Sequence, residues 1–488
     1  GPDSKSTNRL FRQRADGHFE DVSKGSGLDI SGYGMGVAVG DVNNDGWPDV
    51  LVTEYGRVRL FLNNGNGTFT DITKEAGLDN PLWATSAAFV DYDRDGWLDL
   101  VVVNYVDYVA ERKCNGRDGT PDFCGPNAFD GRVTKLFHNR GRSAGAPSKS
   151  VRFDDVTVPS GLGRLTGPGL GVICADFNGD HWPDILVAND GKPNHLWINQ
   201  RDGTFKEEAL LRGVAYNAMG QAEANMGIAI GDVDGKGLFD LFVTHLGEEK
   251  HRLWKQGPRG QFRDLTVAAG LTNAHWNGTG FGTVLVDFDH AGALDLALAN
   301  GRVRRDKESH PDESALKALG PFWGQYADRN QLFVNEGNGR FRDVSPDNPA
   351  FCGTPAVGRG LAWADLDGDG AIDLVVTSIR GPARIFRNVA PKRGHWLIVR
   401  AIDPTLHRDA YGAEITLQGA GRRWWGMINP GSSYLCSNDP RAHFGLGAAD
   451  RIESLTVVWP DGKEEVFPGC AADQTVVLRK GEGRHERE

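Results

Sequence analysis

A nine-residue acidic loop recurs six times along this chain and constrains its fold more than any other feature. The copies read DVNNDGWPD from 41, DYDRDGWLD from 91, DFNGDHWPD from 176, DVDGKGLFD from 232, DFDHAGALD from 287 and DLDGDGAID from 365. A second motif closes each unit: LFRQRADGHFEDV from 10, LFLNNGNGTFTDI from 60, LFHNRG with FDDV across 136–156, LWINQRDGTF from 196, LWKQGPRGQFRDL from 253, LFVNEGNGRFRDV from 332 and IFRN from 385. Repetition of this kind lets a long chain stack one small unit many times, each unit burying its apolar face on the next.

Each unit reads as four short strands. One precedes the acidic loop (GMGVAVGD, LGVICAD, MGIAIGD), one follows it (DVLVTEY, DLVVVNY, DILVAND, DLFVTHL), and the closing motif supplies two more, LF-x-N and F-x-D. Apolar runs of this length between Gly, Asn and Asp punctuation mark strands, and no 3.6-residue periodicity competes with them. Four strands repeating at about 50 residues make a propeller blade. The expectation is an all-β chain with a propeller over 10–392, interrupted by insertions at 105–135 and 302–330. The N-terminal LFRQRADGHFEDV is a half blade without its first two strands. Seven blades are expected, the last closed by joining the two chain ends, with six as the alternative. A small β-sandwich-like domain is expected over 393–482, with a tail at 483–488. Residues 1–9 read as a cleavage remnant and linker, and the opening Gly1-Pro2 as the trace of a trimmed leader.

Oxygen-bearing residues fall at loop positions 1, 3, 5 and 9, often with Gly at 6. Calcium takes six to eight oxygens, and alternating carboxylates on a tight turn supply them from one short segment. An EF-hand would need Glu at position 12, where the first two loops carry Val52 and Val102. The intact donor sets are Asp41, Asn43, Asp45 and Asp49; Asp91, Asp93, Asp95 and Asp99; Asp176, Asn178, Asp180 and Asp184; and Asp365, Asp367, Asp369 and Asp373. Lys236 and Ala291 replace the fifth-position donor in the other two. About four structural calcium ions are expected, none at 287, and at 232 the Lys236 ammonium in place of one.

The net charge of −11 argues against nucleic acid as a partner, and no apolar run is long enough to span a membrane. Cys114 and Cys124, ten apart in a Gly- and Asp-rich stretch, suit a loop-stapling disulfide, and Cys174 sits in an apolar strand as a buried thiol. The disulfide and the calcium loops point to a secreted, periplasmic or cell-surface protein. No P-loop, dinucleotide or G-x-S-x-G fingerprint stands in a strand–helix context.

The acidic loops resemble those of integrin-type FG-GAP (VCBS-like) repeat propellers. The tail segments HWLIVRAID, RDAYGAEITL, GSSYLCSNDPRAHFGLG and SLTVVWPDGKEE resemble the ASPIC/UnbV domain. Propeller plus this domain is the layout of the cartilage acidic protein group and its bacterial relatives. The resemblance implies a secreted or cell-surface calcium-bound propeller and does not imply one function. Lys236, Ala291 and Cys436 depart from the family pattern.

In a four-stranded meander the acidic loops gather on one face, so the ends of the second strands and the starts of the first share the opposite mouth, where binding residues of propellers collect. Expected ligand contacts there are Tyr33, Trp83, Asn104, Tyr105, Asn225, Trp276, Asn300, Arg302, Arg359 and Arg380, beneath a partly helical lid from 302–330. The leading expectation is a module binding a glycan, a matrix component, another polar small molecule or an extracellular protein. The alternative is an enzyme acting on a glycan (hydrolase or lyase) or on a natural product in the same pocket, with Glu54, Asp107 and Asp190 as carboxylates and His245 or His275 moving protons. An open cavity with free carboxylates favours catalysis, salt-bridged carboxylates disfavour it, and a closed mouth favours a pure scaffold.

Overall fold

The computed structural model describes residues 6–116, 119–141, 151–305, 312–391 and 394–485. Five four-stranded antiparallel meanders follow one another along the chain, with first strands Gly34–Gly40, Ala84–Val90, Gly169–Ala175, Ile228–Gly231 and Gly280–Val286. A sixth sheet, Gly358–Ala364, Asp373–Ser378 and Arg384–Phe386, has three strands. Successive sheets share their cores. Leu51 and Leu60 pack with Leu100 and Phe137, Val101 with Val172, Ile173 with Leu241, Phe242 with Leu296, and Ala297 with Val376. This is the face-to-face order of a propeller, in which each blade completes the core of its neighbour.

First strands in the middle of the series are buried on both faces because they line the axis. Ala84–Val90 and Gly169–Ala175 are buried throughout. Small residues here are obligatory: a Cβ on Gly36 would lie 2.8 Å from Thr85 O and 3.0 Å from Leu435 Cβ. An Asn on the third strand, or just past it in the sixth sheet, ties blades together. Asn139, Asn199, Asn335 and Asn388 donate side-chain amides to the carbonyls of Val42, Tyr92, Val233 and Phe288, each in the preceding sheet's acidic loop.

The N-terminal hairpin, Phe11–Gln13 with Phe19–Asp21, stays a separate two-stranded sheet. Among the described residues it pairs with no strand of the sixth sheet. The hairpin reaches both flanks instead: Gln13 Nε2 donates to Leu366 O (2.6 Å), and Leu10 packs on Leu28, Val52 and Phe61.

Residues 395–479 form two further four-stranded sheets around one core that includes Leu397, Ile415, Phe444, Leu455 and Trp459. One is centred on His395–Asp403, which pairs in parallel with Gln474–Arg479; the other runs Arg422–Met427, Glu414–Gly419, Ser454–Val458, Glu464–Pro468. Arg484, expected in a tail, pairs with Val466.

Candidate functional site

The six acidic loops share one hydrogen-bond scheme. The ninth-position carboxylate is buried and accepts two backbone N–H groups at 2.7–3.2 Å, one from loop position 2 and one from the third-strand Asn or Gln. The first-position carboxylate accepts the N–H of position 6 at 2.6–3.1 Å. That position needs a positive φ, supplied by Gly in five loops and by His181 at 69° in the sixth. Asp41, Asp49 and their equivalents therefore frame the loop as well as offering remaining lone pairs.

Burial outweighs those hydrogen bonds and pushes the carboxyls up, Asp49 to about 8, Asp99 and Asp240 to about 7 and Asp295 to about 8, with neighbouring carboxylates adding to the rise. A cation placed among these carboxylates would relieve both the burial and the repulsion. Donor atoms of Asp91, Asp93 and Asp99, and of Asp365, Asp367 and Asp369, lie within 4.8 Å of one another, and those groups could hold a metal ion. Asp91 Oδ1 is buried without a hydrogen-bond partner, so the donor set fits an ion. The same proximity persists at 232 and 287. At 232, Lys236 and Lys255 both pair with Asp234, at 2.6 and 2.5 Å.

The second domain sits on the face that carries these loops. Arg408 donates to Asn44 Oδ1 (2.9 Å) and Gly96 O (3.1 Å), Arg422 to Gly292 O (3.0 Å), and His443 Nε2 lies 3.0 Å from Gly370 O. Arg259 bridges Asp176 (3.0 Å) and Glu414 (2.8 Å). Within the domain, Asp439 and Arg441 form a salt bridge, with Nε 2.9 Å from both carboxylate oxygens.

From this domain the segment 429–438 runs into the axis and bonds to the first strands of five sheets. Asn429 donates to Cys174 O (2.9 Å). Ser433 pairs with Ile228, accepts from Thr283 N (3.0 Å) and donates to Leu361 O (2.6 Å). Leu435 O accepts from Val37 N (3.2 Å), and Asn438 Oδ1 from Trp363 N (3.2 Å). Tyr434 reaches the far mouth, packing with Leu170, Met226 and Phe281.

This plug replaces the open axial pocket expected from the sequence, and the corrections follow from it. Asn104, Asn225 and Asn300 are buried and spend their amides on loop carbonyls: Val133, Asn189 and Arg329. His245 is fully buried between Val243 O and Asn225 Oδ1 and is pushed down to about 3 by burial. Arg359 lies over the Phe281 ring and donates to the carbonyls of Gly301, Gly358 and Arg302. Asp190 accepts from Tyr105 (2.6 Å), and Trp276 Nε1 donates to Arg329 O. Glu54 is buried between Arg57 (3.4 Å) and Arg59 (3.2 Å), and Asp107 pairs with Arg132 (2.6 Å). His275 stands apart on Asp343 (3.1 Å), Arg302 lies 3.9 Å from Asp328, and Arg380 is exposed at φ 59°. The proposed carboxylates are thus ion-paired or hydrogen-bonded rather than facing one another across an open cavity.

What the mouth does expose is an aromatic patch off the axis, at the ends of the first two sheets. Tyr55 meets Tyr33 (6.3 Å between centroids), Trp83 (5.4 Å) and Tyr108 (6.1 Å), and Trp83 also meets Tyr105 and Tyr108. Tyr33, Tyr55 and Tyr108 are about 40% exposed, and Trp83 Nε1 is buried without a hydrogen-bond partner. Tyr108 was missed in the sequence reading. Tyr55 follows Glu54 directly, and Tyr108 belongs to the first insertion.

The two insertions meet over the mouth. Cys114–Cys124 is a disulfide stapling the short hairpin that carries Asp122. Tyr326 donates to Asp122 (2.6 Å), Arg305 lies beside it, and Phe123 packs on Phe322 and Tyr326. The second insertion is helical over Glu313–Trp323, capped by Asp312 and broken by a kink at Gly320 (φ 83°) before Pro321.

Comparison with known proteins fits this architecture. A family model described as "FG-GAP-like repeat" matches residues 2–52, 41–102, 176–243 and 322–395, leaving out the loop that carries Ala291, and one described as "ASPIC and UnbV" matches 403–485. Cartilage acidic protein 1 of Mus musculus is 29% identical over 69% of this chain and 58% of that protein; the Xenopus tropicalis protein is 30% identical over 64% and 45%. The chain spans about half the length of the curated relatives it matches. An Agrocybe aegerita lectin recognising non-reducing terminal N-acetylglucosamine superposes with a TM-score of 0.41 at 15% identity over 79% of this chain and 89% of that one, too loosely to carry function across. The chain belongs to the FG-GAP-repeat proteins that end in an ASPIC and UnbV domain.

Proposed function

We propose that this is an extracellular, calcium-stabilised propeller that binds a glycan or another polar ligand through the aromatic patch Tyr33–Tyr55–Trp83–Tyr108. The observation that carries the reading is that patch. Two half-exposed tyrosines, Tyr55 and Tyr108, pack on a tryptophan whose buried N–H lacks an acceptor, and a third, Tyr33, packs on Tyr55. Amphipathic rings offer stacking faces to sugar C–H surfaces and polar rims to hydroxyls. The ion pairs of Glu54 and Asp107 at its edge supply fixed charges and leave neither carboxylate free for acid–base work. Binding is therefore favoured over hydrolysis. The calcium reading is supported by the oxygen-only donor spacing of the loops at 41, 176 and 365, the preference of a hard cation, and by the close approach of Asp365, Asp367 and Asp369. The disulfide and relatives named for cartilage support a location outside the cell.

The test is a glycan-array and calorimetric screen of the calcium-loaded protein. Tyr33→Ala with Tyr55→Ala should weaken any captured glycan about tenfold or more, from roughly 0.5–1.5 kcal/mol per lost aromatic contact, with the protein still folded by circular dichroism. Retention unchanged in the double variant sinks the reading. Retention of proteins alone turns the patch into a protein-docking surface.

A further inference from the structure

We infer that the second acidic loop is a mixed nitrogen–oxygen site that takes a borderline transition-metal dication of the zinc class, while the oxygen-only loops take calcium. The inference rests on reading the acidic loops as cation sites.

The argument starts from one register position, the residue preceding the third-strand Asn or Gln. It is Leu62, His138, Ile198, Lys255, Val334 and Arg387 in the six sheets. Where this residue is polar, its side chain reaches the third-position carboxylate of its own loop. Lys255 lies 2.5 Å from Asp234, Arg387 2.6 Å from Asp367, and His138 Nδ1 3.3 Å from Asp93. Lysine and arginine can only compensate charge there. A histidine can also donate a lone pair to a metal.

The surrounding donors are in place. Ligand atoms of His138, Asp93 and Asp95 lie within 4.8 Å of one another, as do those of Asp91, Asp93 and Asp99, and the two groups share Asp93. Asp91 is 7% exposed, and its Oδ1 has no hydrogen-bond partner. His138 Nδ1 is also 3.1 Å from Asp99 Oδ1, a contact that the ring gives up when that nitrogen turns its lone pair to an ion. Tyr92 packs edge-on against the His138 ring at 6.1 Å and limits its swing. Calcium selects oxygen ligands, whereas imidazole raises affinity for zinc and its neighbours in the first transition row. The two groups together offer four carboxylates and one imidazole, from which zinc can draw a four-coordinate set.

The experiment uses the whole chain, stripped of metal and equilibrated with excess calcium plus limiting zinc, then analysed by elemental counting and by cadmium-113 NMR as a nitrogen-sensitive reporter. The expected result is one zinc per chain retained against millimolar calcium. His138→Leu, copying the residue of the first sheet, should lose that zinc with an affinity drop of about tenfold or more while the calcium count of the other loops stands. His138→Asn restores an oxygen donor and should convert the site to calcium, which guards against a folding defect in the leucine variant. Zinc retention equal in the wild type and both variants, or zinc displaced by calcium in the wild type, overturns the inference. Zinc held through His138 with no calcium bound at any loop upholds it and removes the calcium reading instead.

Discussion

Ser433 shows how much one side chain can hold. It is buried, accepts from Thr283 N and donates to Leu361 O, so a single hydroxyl joins the fifth and sixth sheets at the axis. Ser433→Ala leaves a buried N–H and a buried carbonyl unpaired, and a loss of about 1–3 kcal/mol is expected, read from the denaturant midpoint at unchanged slope. Asp190 gives the pH-dependent counterpart. Burial pushes its carboxyl from 3.8 up to about 6, partly offset by the Tyr105 hydroxyl. A carboxyl raised on folding contributes stability that is complete below its unfolded value and is lost as pH rises through the folded one. Asp190→Asn should therefore be more stable than the wild type at pH 7–8, and the difference should vanish below about pH 4. An identical gap at both ends of that range would refute the assignment. None of this was legible in the sequence. Asn104, Asn225, Asn300 and His245 look like cavity-lining polar groups on a strand end, and only tertiary neighbours show them bonded to buried loop carbonyls and side chains.

At the scale of elements, the acidic loops and their flanking strands were the most legible part, because donor spacing and strand alternation are local. All six loops occur where expected, each between the first two strands of a sheet. The Cys114–Cys124 staple and the helical second insertion were also readable, from spacing and composition. Their mutual docking was not. Asp122 and Phe123 are distant in sequence from Tyr326 and Phe322, and nothing in either insertion marks the other as its partner. Because the staple fixes the short hairpin that presents Asp122, reduction should loosen the second insertion. Proteolysis within 302–330 is expected to speed up under reductant or in Cys114→Ser with Cys124→Ser, while the blades stay resistant. Equal cleavage rates would uncouple the two insertions.

The whole molecule departs furthest from its sequence reading at the axis. GSSYLCSND reads as a loop of a separate domain, yet it threads the ring, and Leu435 and Ser433 bond to strands at both ends of the series. One domain thus plugs the propeller axis and caps the acidic loops. Arg408, Arg422 and His443 meet the loops at 41, 91, 287 and 365 through backbone carbonyls and side chains that depend on loop shape. Emptying the loops should consequently weaken the fold and the docking of the second domain together. The direct measurement is a calorimetric melt in calcium and in chelator. Each site saturated at a hundredfold over its dissociation constant contributes about 2.7 kcal/mol, so several sites predict a fall in melting temperature on the order of 10 °C, reversed by returning calcium. A melt that is the same in calcium and in chelator would contradict the account.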